Sequence, residues 1–405
     1  MIAVGTAMEY LTVRETAEKW NLSLRTVQQL CTAGRIPGAQ KFGTAWAIPA
    51  EAEKPQALHS APKRAGEESA AGRLSRTNLM PLMNTAFPPG QCLAAVEAME
   101  EGPQRDIAWA EYCYFTAKPE KAARAAGAYL TSPDMGARMS ACLIFAYASL
   151  SLHQIQHARF ALNELQKFLS AGAEDSPSLR AAEVFVGAAS AVLLHLPLPK
   201  TLPSAQEFLP LLPTGLWAFA LYVQAHYLYL KRSYTQSIGV VEATLSMGAE
   251  QYPIPAIYLH LIAVMDYMSL KKTQQAQEHL LTAWRIARPD DLLEGFGEHH
   301  GLLGGMLESV IKPRWPEDFK RIIDITYEFS WGWRRIHNPD TGHQVADNLT
   351  TTEFAVAMLS ARNWTNEEIA AHMGVSVSTV KRHLARVKEK LQIKTRQELR
   401  RHMLA

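Results

Sequence analysis

Residues 365–384 read TNEEIAAHMGVSVSTVKRHL, and their spacing predicts two helices joined by a tight turn. We expect Asn366 to cap the first helix, because its side-chain oxygen can accept from a free backbone N–H group. Apolar residues at helical spacing, beginning with Ile369, give this helix one buried side. Gly374 suits the left-handed conformation that ends a helix, and Val375 is expected to fill the turn. The stretch therefore predicts a compact helix–turn–helix unit.

The second helix of this unit is basic on one side. It is expected to start at Ser376 or Ser378 and to run over residues 379–391, with Val380, Leu384 and Val387 buried. A short helix, a left-handed turn and a basic second helix are typical of a unit that places its second helix in the DNA major groove. The residues of this helix that we expect to contact DNA are Ser378, Thr379, Lys381, Arg382, His383, Arg386, Lys388 and Lys390.

Motifs over the last 55 or so residues resemble the LuxR-type DNA-binding domain. In chain order they are LT…E from Leu349, EIA from Glu368, TVK from Thr379 and KL-x-I…R…L from Lys390. The resemblance implies a four-helix domain that binds two-fold DNA sites as a dimer. The family usually has Gly where this chain has Asn363, and Asn tolerates a positive φ. The alternative is an ordinary helical hairpin that ends a helical domain.

Charge is unevenly distributed along the 405 residues, although the whole chain carries only +2. Residues 1–50 carry +2 and residues 362–405 carry +6, so the remainder carries −6. A basic C-terminal block is the electrostatic pattern expected of a nucleic-acid-binding module. A solvated helix face is the alternative explanation for such a block.

The N-terminal block repeats the same spacing. In EYLTVRETAEKWNLSLRTVQQL, residues 9–30, Ala17 and Asn21 stand where Ala370 and Gly374 stand in the C-terminal unit. Two short strands are expected on either side of a turn at residues 43–45. The block resembles the excisionase/MerR-like winged helix-turn-helix. By that resemblance, the residues that would face DNA are Arg25, Thr26, Gln28 and Gln29, with Lys41 on the wing. The alternative is that this module docks a protein.

Helix pairs recur between the two ends. A small residue lies early in the second helix of each pair, at Ala122, Ala158, Ala205, Ser237 and Ala276. This pattern looks like a tetratricopeptide-type array, with a period longer than usual. Such arrays form curved surfaces that bind a ligand or a protein, so we expect an effector or partner there. The alternative is a helical spacer between the two modules.

The predicted fold is mainly α, with short strands only in the N-terminal wing. Residues 327–337 (YEFSWGWRRIH) are interpreted as the packed joint between the array and the C-terminal module, and a direct contact with DNA is the alternative. The predicted divisions are a winged helix-turn-helix at 1–50, a linker at 51–90, a tetratricopeptide-like helical repeat domain at 91–336, a linker at 337–348 and a LuxR-type helix-turn-helix domain at 349–405.

Sequence motifs of common enzyme classes are missing. There is no GxxxxGK[ST] phosphate loop, no GxGxxG and no GxSxG, so we expect no enzyme, no cofactor and no catalytic residue. His299 and His300 are adjacent and point about 100° apart on a helix, so they are not expected to bind one metal together. The aromatic cluster on one helix is expected to pack between repeats and not to line a ligand site; its members are Tyr222, His226, Tyr227 and Tyr229.

The sequence also bears on location and partners. Four widely spaced cysteines favour a reduced, cytoplasmic compartment, and no signal peptide or membrane span is expected. We therefore predict a transcription regulator that binds double-stranded DNA as a homodimer, with RNA polymerase as a further candidate partner. The competing interpretation is a helical-repeat scaffold whose terminal helix-turn-helix modules dock proteins.

Overall fold

The computed structural model describes residues 10–20, 22–32, 36, 39–42, 45–50, 52, 78–170, 177–194, 208–337 and 349–404. The chain divides into two compact units, Met1–Glu68 and Ser69–Ala405. The fold is mainly α, as predicted. In the part of the chain described, no helix is both long and apolar enough to cross a membrane. The same residues contain no group of three or more His, Cys, Asp or Glu side chains arranged to hold a metal ion.

The first unit is a helix-turn-helix with a small sheet. Its elements are β1 Tyr10–Thr12, α1 Val13–Trp20, α2 Leu24–Thr32, β2 Gln40–Phe42 and β3 Ala45–Pro49. The two wing strands lie where the sequence predicted them and pair antiparallel. Strand β1 was not predicted, and it pairs with β3 so that the sheet order is β1-β3-β2.

Apolar residues of both helices and of β3 form the core of the first unit. Ala17 and Trp20 of α1, Val27 and Cys31 of α2 and Ile48 of β3 are all at most 6% exposed. Helical spacing predicts these four helix residues on the buried sides together with Val13 and Leu30, which are only partly buried. Asn21, which stands where Gly374 stands in the C-terminal unit, and Gly34, where the sequence predicts the end of the second helix, lie outside the described residues.

The second unit is built from helices. They are α3 Cys92–Glu97, α4 Pro103–Phe115, α5 Pro119–Gly127, α6 Met135–Ser151, α7 Ile155–Ser170, α8 Pro177–Leu193, α9 Thr214–Leu230, α10 Tyr234–Ser246, α11 Pro253–Ser269, α12 Thr273–Ala287, α13 Glu294–His299, α14 Pro316–His337, α15 Thr351–Ala361, α16 Asn366–Met373, α17 Val377–Lys390 and α18 Arg396–Leu404. We call residues 78–337 the central array and residues 349–404 the C-terminal module.

Four helix pairs of the central array share one turn. The first helix ends, and the second residue after it adopts a left-handed conformation although it is not glycine. These residues are Ala117, His153, Arg232 and Lys271. In each turn the next N–H donates to the carbonyl five residues back, which satisfies a free helix-end acceptor.

A small buried residue follows that turn residue by five positions in every pair. These residues are Ala122, Ala158, Ser237 and Ala276, and each is 0% exposed. Small side chains let two helices approach closely, so the sequence pattern located these crossings correctly. Ala205, the remaining member of the pattern, lies outside the described residues.

The segment assigned to the linker at 51–90 ends in the core instead. Leu79 and Leu82 are 0% exposed, and the N–H groups of Leu82 and Met83 donate to the Glu111 carboxylate at 2.8 and 3.1 Å. The apolar side chains of LMPLM offset the entropy cost of ordering this segment. Burial raises the pKa of Glu111 to about 8. The linker prediction is therefore wrong for residues 78–90.

A hydroxyl side chain caps the N-terminus of each of the four helices in the C-terminal module. Thr365, not Asn366, caps α16, in a reciprocal capping box with Glu368. Gly374 takes the predicted left-handed conformation at φ 64°. Val375 does not fill the turn, because it is 38% exposed. Asn363, which stands where the LuxR-type family usually has Gly, adopts a positive φ, as the turn requires.

The predicted joint at residues 327–337 packs back on the array. Phe329 stacks on Tyr147, and Trp331 lies over the ring of His153 at 4.0 Å between centroids. Gly332 is in close contact with the backbone of Leu150, so α14 lies directly against α6. The side chains of residues 333–337 lie outside those described. The array meets the C-terminal module elsewhere, as shown below.

Candidate nucleic-acid interface

Helix α17 has one buried and one exposed side. Ser376 caps its start by accepting from the Thr379 N–H at 3.1 Å. Val380 and Val387, seven residues apart, are 0% exposed and fix the helix against its own module. The opposite side therefore faces outward, and its Lys381, Arg382 and Arg386 side chains are exposed. This face of the helix therefore presents three positively charged side chains to the solvent.

The first turn of α17 is ordered by hydroxyl groups. Ser376 Oγ lies 2.8 Å from Ser378 Oγ and 2.9 Å from Thr379 Oγ1. Ser378 is exposed and Thr379 partly so. Both predicted contact residues therefore also hold the helix start, which is the part of a recognition helix that meets base edges.

Two of the predicted contact residues point toward the module itself. Lys390 Nζ forms an ion pair of 2.7 Å with Glu353, whose side chain is 3% exposed. Burial tends to raise the pKa of Glu353, but the hydrogen bonds from Lys390 and Thr350 lower it below its usual value. Burial lowers the pKa of His383, and its Nδ1 is enclosed. Lys388 is partly exposed on the same helix.

In the first unit the predicted contact residues lie on α2. Ser23 caps this helix by accepting from the Thr26 N–H at 3.1 Å. Arg25 and Gln28 are exposed and Thr26 is partly exposed. The side chains of Gln29 and Lys41 lie outside the described residues. This helix presents one arginine and neutral groups where α17 presents several cations.

Comparison with known families follows the same division. Residues 347–403 match the model of bacterial regulatory proteins of the luxR family. Residues 10–52 match the model of a helix-turn-helix domain. Together these matches support a DNA-binding regulator and confirm the predicted helix-turn-helix at each end. No curated protein and no solved structure showed a significant match to the chain.

The sequence did not predict how the LuxR-type module is held. Its helices α15 and α16 pack on residues 301–305 of the central array, and we call this contact the seam. Arg362, 6% exposed, donates from Nη2 to the hydroxyl of Tyr229 at 2.7 Å and to the carbonyl of Leu302 at 2.8 Å. His372 donates from Nε2 to the Gly304 carbonyl at 3.0 Å. The LuxR-type module is thus joined to the array by buried polar groups.

Glycines make the close approach at the seam possible. A Cβ at Gly301 would collide with the ring of Phe354, and one at Gly305 would collide with the sulfur of Met373. Gly305 also has φ 79°, a conformation that favours glycine. The stretch GLLGG is the sequence signal that could have identified this contact, since three glycines in five residues indicate a close backbone approach.

An ion pair closes the edge of the seam. Lys271, the left-handed turn residue after α11, pairs with Glu368 at 2.8 Å, and its ammonium lies over the ring of Trp364. The hydrogen bond from Lys271 lowers the pKa of Glu368. Both charged side chains are about two-fifths exposed, so this pair contributes little stability.

A chain of side chains runs from the seam into the array. Tyr229, which accepts from Arg362, packs edge-on against His226. The hydroxyl of Tyr222 bonds to His226 at 3.2 Å and to His299 at 2.9 Å. Burial lowers the pKa of His299 to about 4, so this ring is neutral near pH 7. The cluster that the sequence assigned to packing therefore also connects α13 with the LuxR-type module.

Proposed function

We propose that the chain is a transcription regulator that reads double-stranded DNA with α17 in the major groove. The observation that carries this proposal is the exposed basic face of α17, held by Val380 and Val387 from behind. Lys381 and Arg382 lie near the helix start, where side chains reach base edges. The remaining predicted contacts from α17 are proposed to bind phosphates or to order the helix.

The central array is proposed to receive the regulatory signal. Tetratricopeptide-like helix pairs and a seam of buried polar contacts support this role, because a shift in the array would move or release the LuxR-type module. An effector acts in this way only if it binds one arrangement of the seam better than another. A difference of about 1–3 kcal/mol would change DNA affinity roughly 5- to 150-fold.

The remaining parts of the proposal concern partners. The N-terminal helix-turn-helix is proposed to contact DNA through Arg25, Thr26 and Gln28. We further propose that the protein acts in the cytoplasm as a homodimer on DNA, and that RNA polymerase is a partner at the promoter. These proposals rest on the two helix-turn-helix matches and on the basic C-terminal charge.

Genome-wide footprinting with full-length variants tests the assignment of the reader. Arg382→Ala removes a cation from α17, Arg25→Ala removes one from α2, and Arg14→Ala serves as a control in an exposed pair with Glu18. We expect Arg382→Ala to lose or redistribute the sites and Arg14→Ala to retain them. If only Arg25→Ala changed the sites, the N-terminal module would be the main reader. Unchanged sites in all three variants would favour the scaffold interpretation.

A further inference from the structure

A small cavity lies inside the central array, away from the basic face of α17. Its volume is about 60 Å³ and its walls are almost entirely apolar, with aromatic rings that include Tyr114, Tyr147, Phe219 and Tyr258. One water molecule needs about 10–15 Å³ by the same measure, so the cavity has room for a ligand larger than a single water molecule. The one charged side chain that lines it is Glu298.

Neutral donors hold the Glu298 carboxyl in place. The hydroxyl of Tyr114 donates to one oxygen, and that of Tyr258 donates to the other at 2.9 Å. The Glu298 side chain is only 9% exposed, and Glu294, one turn earlier on α13, is 3% exposed. Among the described residues neither carboxyl forms an ion pair with Lys or Arg, and the neighbouring His299 is neutral. Burial therefore raises the pKa of Glu298 and of Glu294, and a cation placed beside Glu298 would favour its ionised form.

The cavity walls also suit a positive charge. Tyr258 packs edge-on against Phe219 and Phe115, with centroids 5.5 and 6.1 Å apart. Such rings attract a cation to their faces. Tyr147 lines the cavity, and among the described residues its buried hydroxyl has no hydrogen-bond partner.

We propose that this cavity binds a small organic cation, an amine with a compact apolar body. The ammonium group lies against Glu298 and donates to the Tyr147 hydroxyl, while the apolar body packs among the aromatic rings. This inference rests on the proposed sensing role of the array and names the chemistry of its ligand. Glu298 precedes His299, which begins the chain of side chains toward Arg362, so the ligand lies next to the connection with the seam.

Calorimetric titration of the full-length protein without DNA tests the inference. Benzylamine is compared with benzyl alcohol, which has nearly the same shape but no charge. We expect benzylamine to bind at least tenfold more tightly, a difference of about 1.4 kcal/mol. Equal binding of the two probes, or no binding of benzylamine, would overturn the proposal. This comparison requires no variant.

Variants then identify the residues. Glu298→Gln should abolish the preference for the amine, and Ala189→Phe, which fills the cavity, should bind neither probe. Glu317→Gln removes an exposed carboxyl and should bind as the wild type does. A preference retained in a folded Glu298→Gln protein would contradict the assignment. Failure of the wild type to bind DNA in the footprinting experiment would instead refute the proposed function, without affecting these titrations.

Discussion

The guanidinium of Arg362 donates a 2.7 Å hydrogen bond to the hydroxyl of Tyr229, 133 residues earlier in the chain. Arg362 closes the first helix of the LuxR-type module, and Tyr229 lies near the end of α9 in the array. Both side chains are at least nine-tenths buried, so water cannot replace this bond without opening the seam. The LuxR-type module is therefore coupled to the array through buried polar contacts.

Arg362→Met should loosen the seam. The substitution keeps the apolar stem but removes the donor to Tyr229 and Leu302, and hydrogen bonds from a charged group contribute about 1.5–3 kcal/mol each. We expect faster amide hydrogen exchange in α15, α16 and residues 301–305. The exposed Arg400→Met is the matched control and should exchange as the wild type does. Unchanged exchange in Arg362→Met would show that apolar contacts alone hold the module.

Substitutions on α17 should separate base reading from backbone binding. Arg382→Ala should relax sequence preference at a cost of roughly 1–3 kcal/mol, whereas Lys388→Ala should weaken binding to all sequences and reduce the salt slope by about one unit. Binding isotherms at several salt concentrations, on a specific and a scrambled duplex, measure both effects. If neither variant changed specific binding, α17 would not be the reader.

Lys390 needs a separate measurement, because its ammonium pairs with the buried Glu353. Lys390→Ala removes a proposed phosphate contact, and it also removes the cation that pairs with this carboxylate. We therefore expect a lower Tm for Lys390→Ala in addition to weaker DNA binding, and an unchanged Tm for Lys388→Ala. An unchanged Tm in Lys390→Ala would show that the ion pair with Glu353 does not stabilise the module, so that only the proposed contact of Lys390 with DNA would remain.

Local signals explain what the sequence predicted well. The left-handed residues at Gly374 and Asn363 and the small residues at Ala122 and Ala276 act within a few positions of the chain. Their effect on the backbone follows from their own chemistry, so helix ends and crossings were accessible from the sequence. Strand β1 was not, because its three residues become a strand only by pairing with β3.

The seam and the cavity depend on residues far apart in the chain. Arg362 is 60 residues from its acceptor at Leu302, and Tyr114 is 184 residues from Glu298. No periodicity connects such positions. The adjacent His299 and His300 stand out in the sequence, whereas the residue that lines the cavity is Glu298, which precedes them.

Stability should fall as the pH rises above neutrality. Burial raises the pKa of Glu111 and of Asp266 to about 8, so the folded chain holds protons that the unfolded chain has already lost. The stabilisation is complete below the unfolded pKa values near 4 and is lost as the pH rises through about 8. Each group contributes a slope of about 1.4 kcal/mol per pH unit.

The buried histidines act in the opposite direction at lower pH. Burial lowers the pKa of His260 to about 3 and that of His299 to about 4, so their contribution is lost as the pH falls below about 6.5. Between about pH 6.5 and about pH 8.5, the change of stability with pH therefore reports the buried carboxyl groups and not the histidines. Calorimetric melting should show a falling Tm there, with a smaller slope in Asp266→Asn and the wild-type slope in Glu317→Gln. A flat profile in the wild type would contradict the raised pKa values.

Two protomers should occupy each DNA site. The spacing of Leu399 and Met403 on the last helix predicts one apolar side, either for pairing or for the module's own core. Leu399 is 0% exposed and packs with Val387 and Ile393 in the core of its own module. Leu399→Ala should therefore lower the Tm of the protein. We expect the two modules to pair on DNA.

Half-site spacing tests the dimer directly. Two-fold modules of this type read half-sites about one helical turn, or 10–10.5 base pairs, apart. Inserting about five base pairs turns the second half-site to the opposite side of the duplex, and inserting about ten restores its direction. Mass measurements on these duplexes should show two protomers bound cooperatively on the original site and independent binding after the half-turn insertion. With a full-turn insertion the two modules again face the same side, but any contact between them must span a longer gap. Cooperativity that persists after the half-turn insertion would mean that pairing occurs through the array, and a single protomer on the original site would refute the dimer.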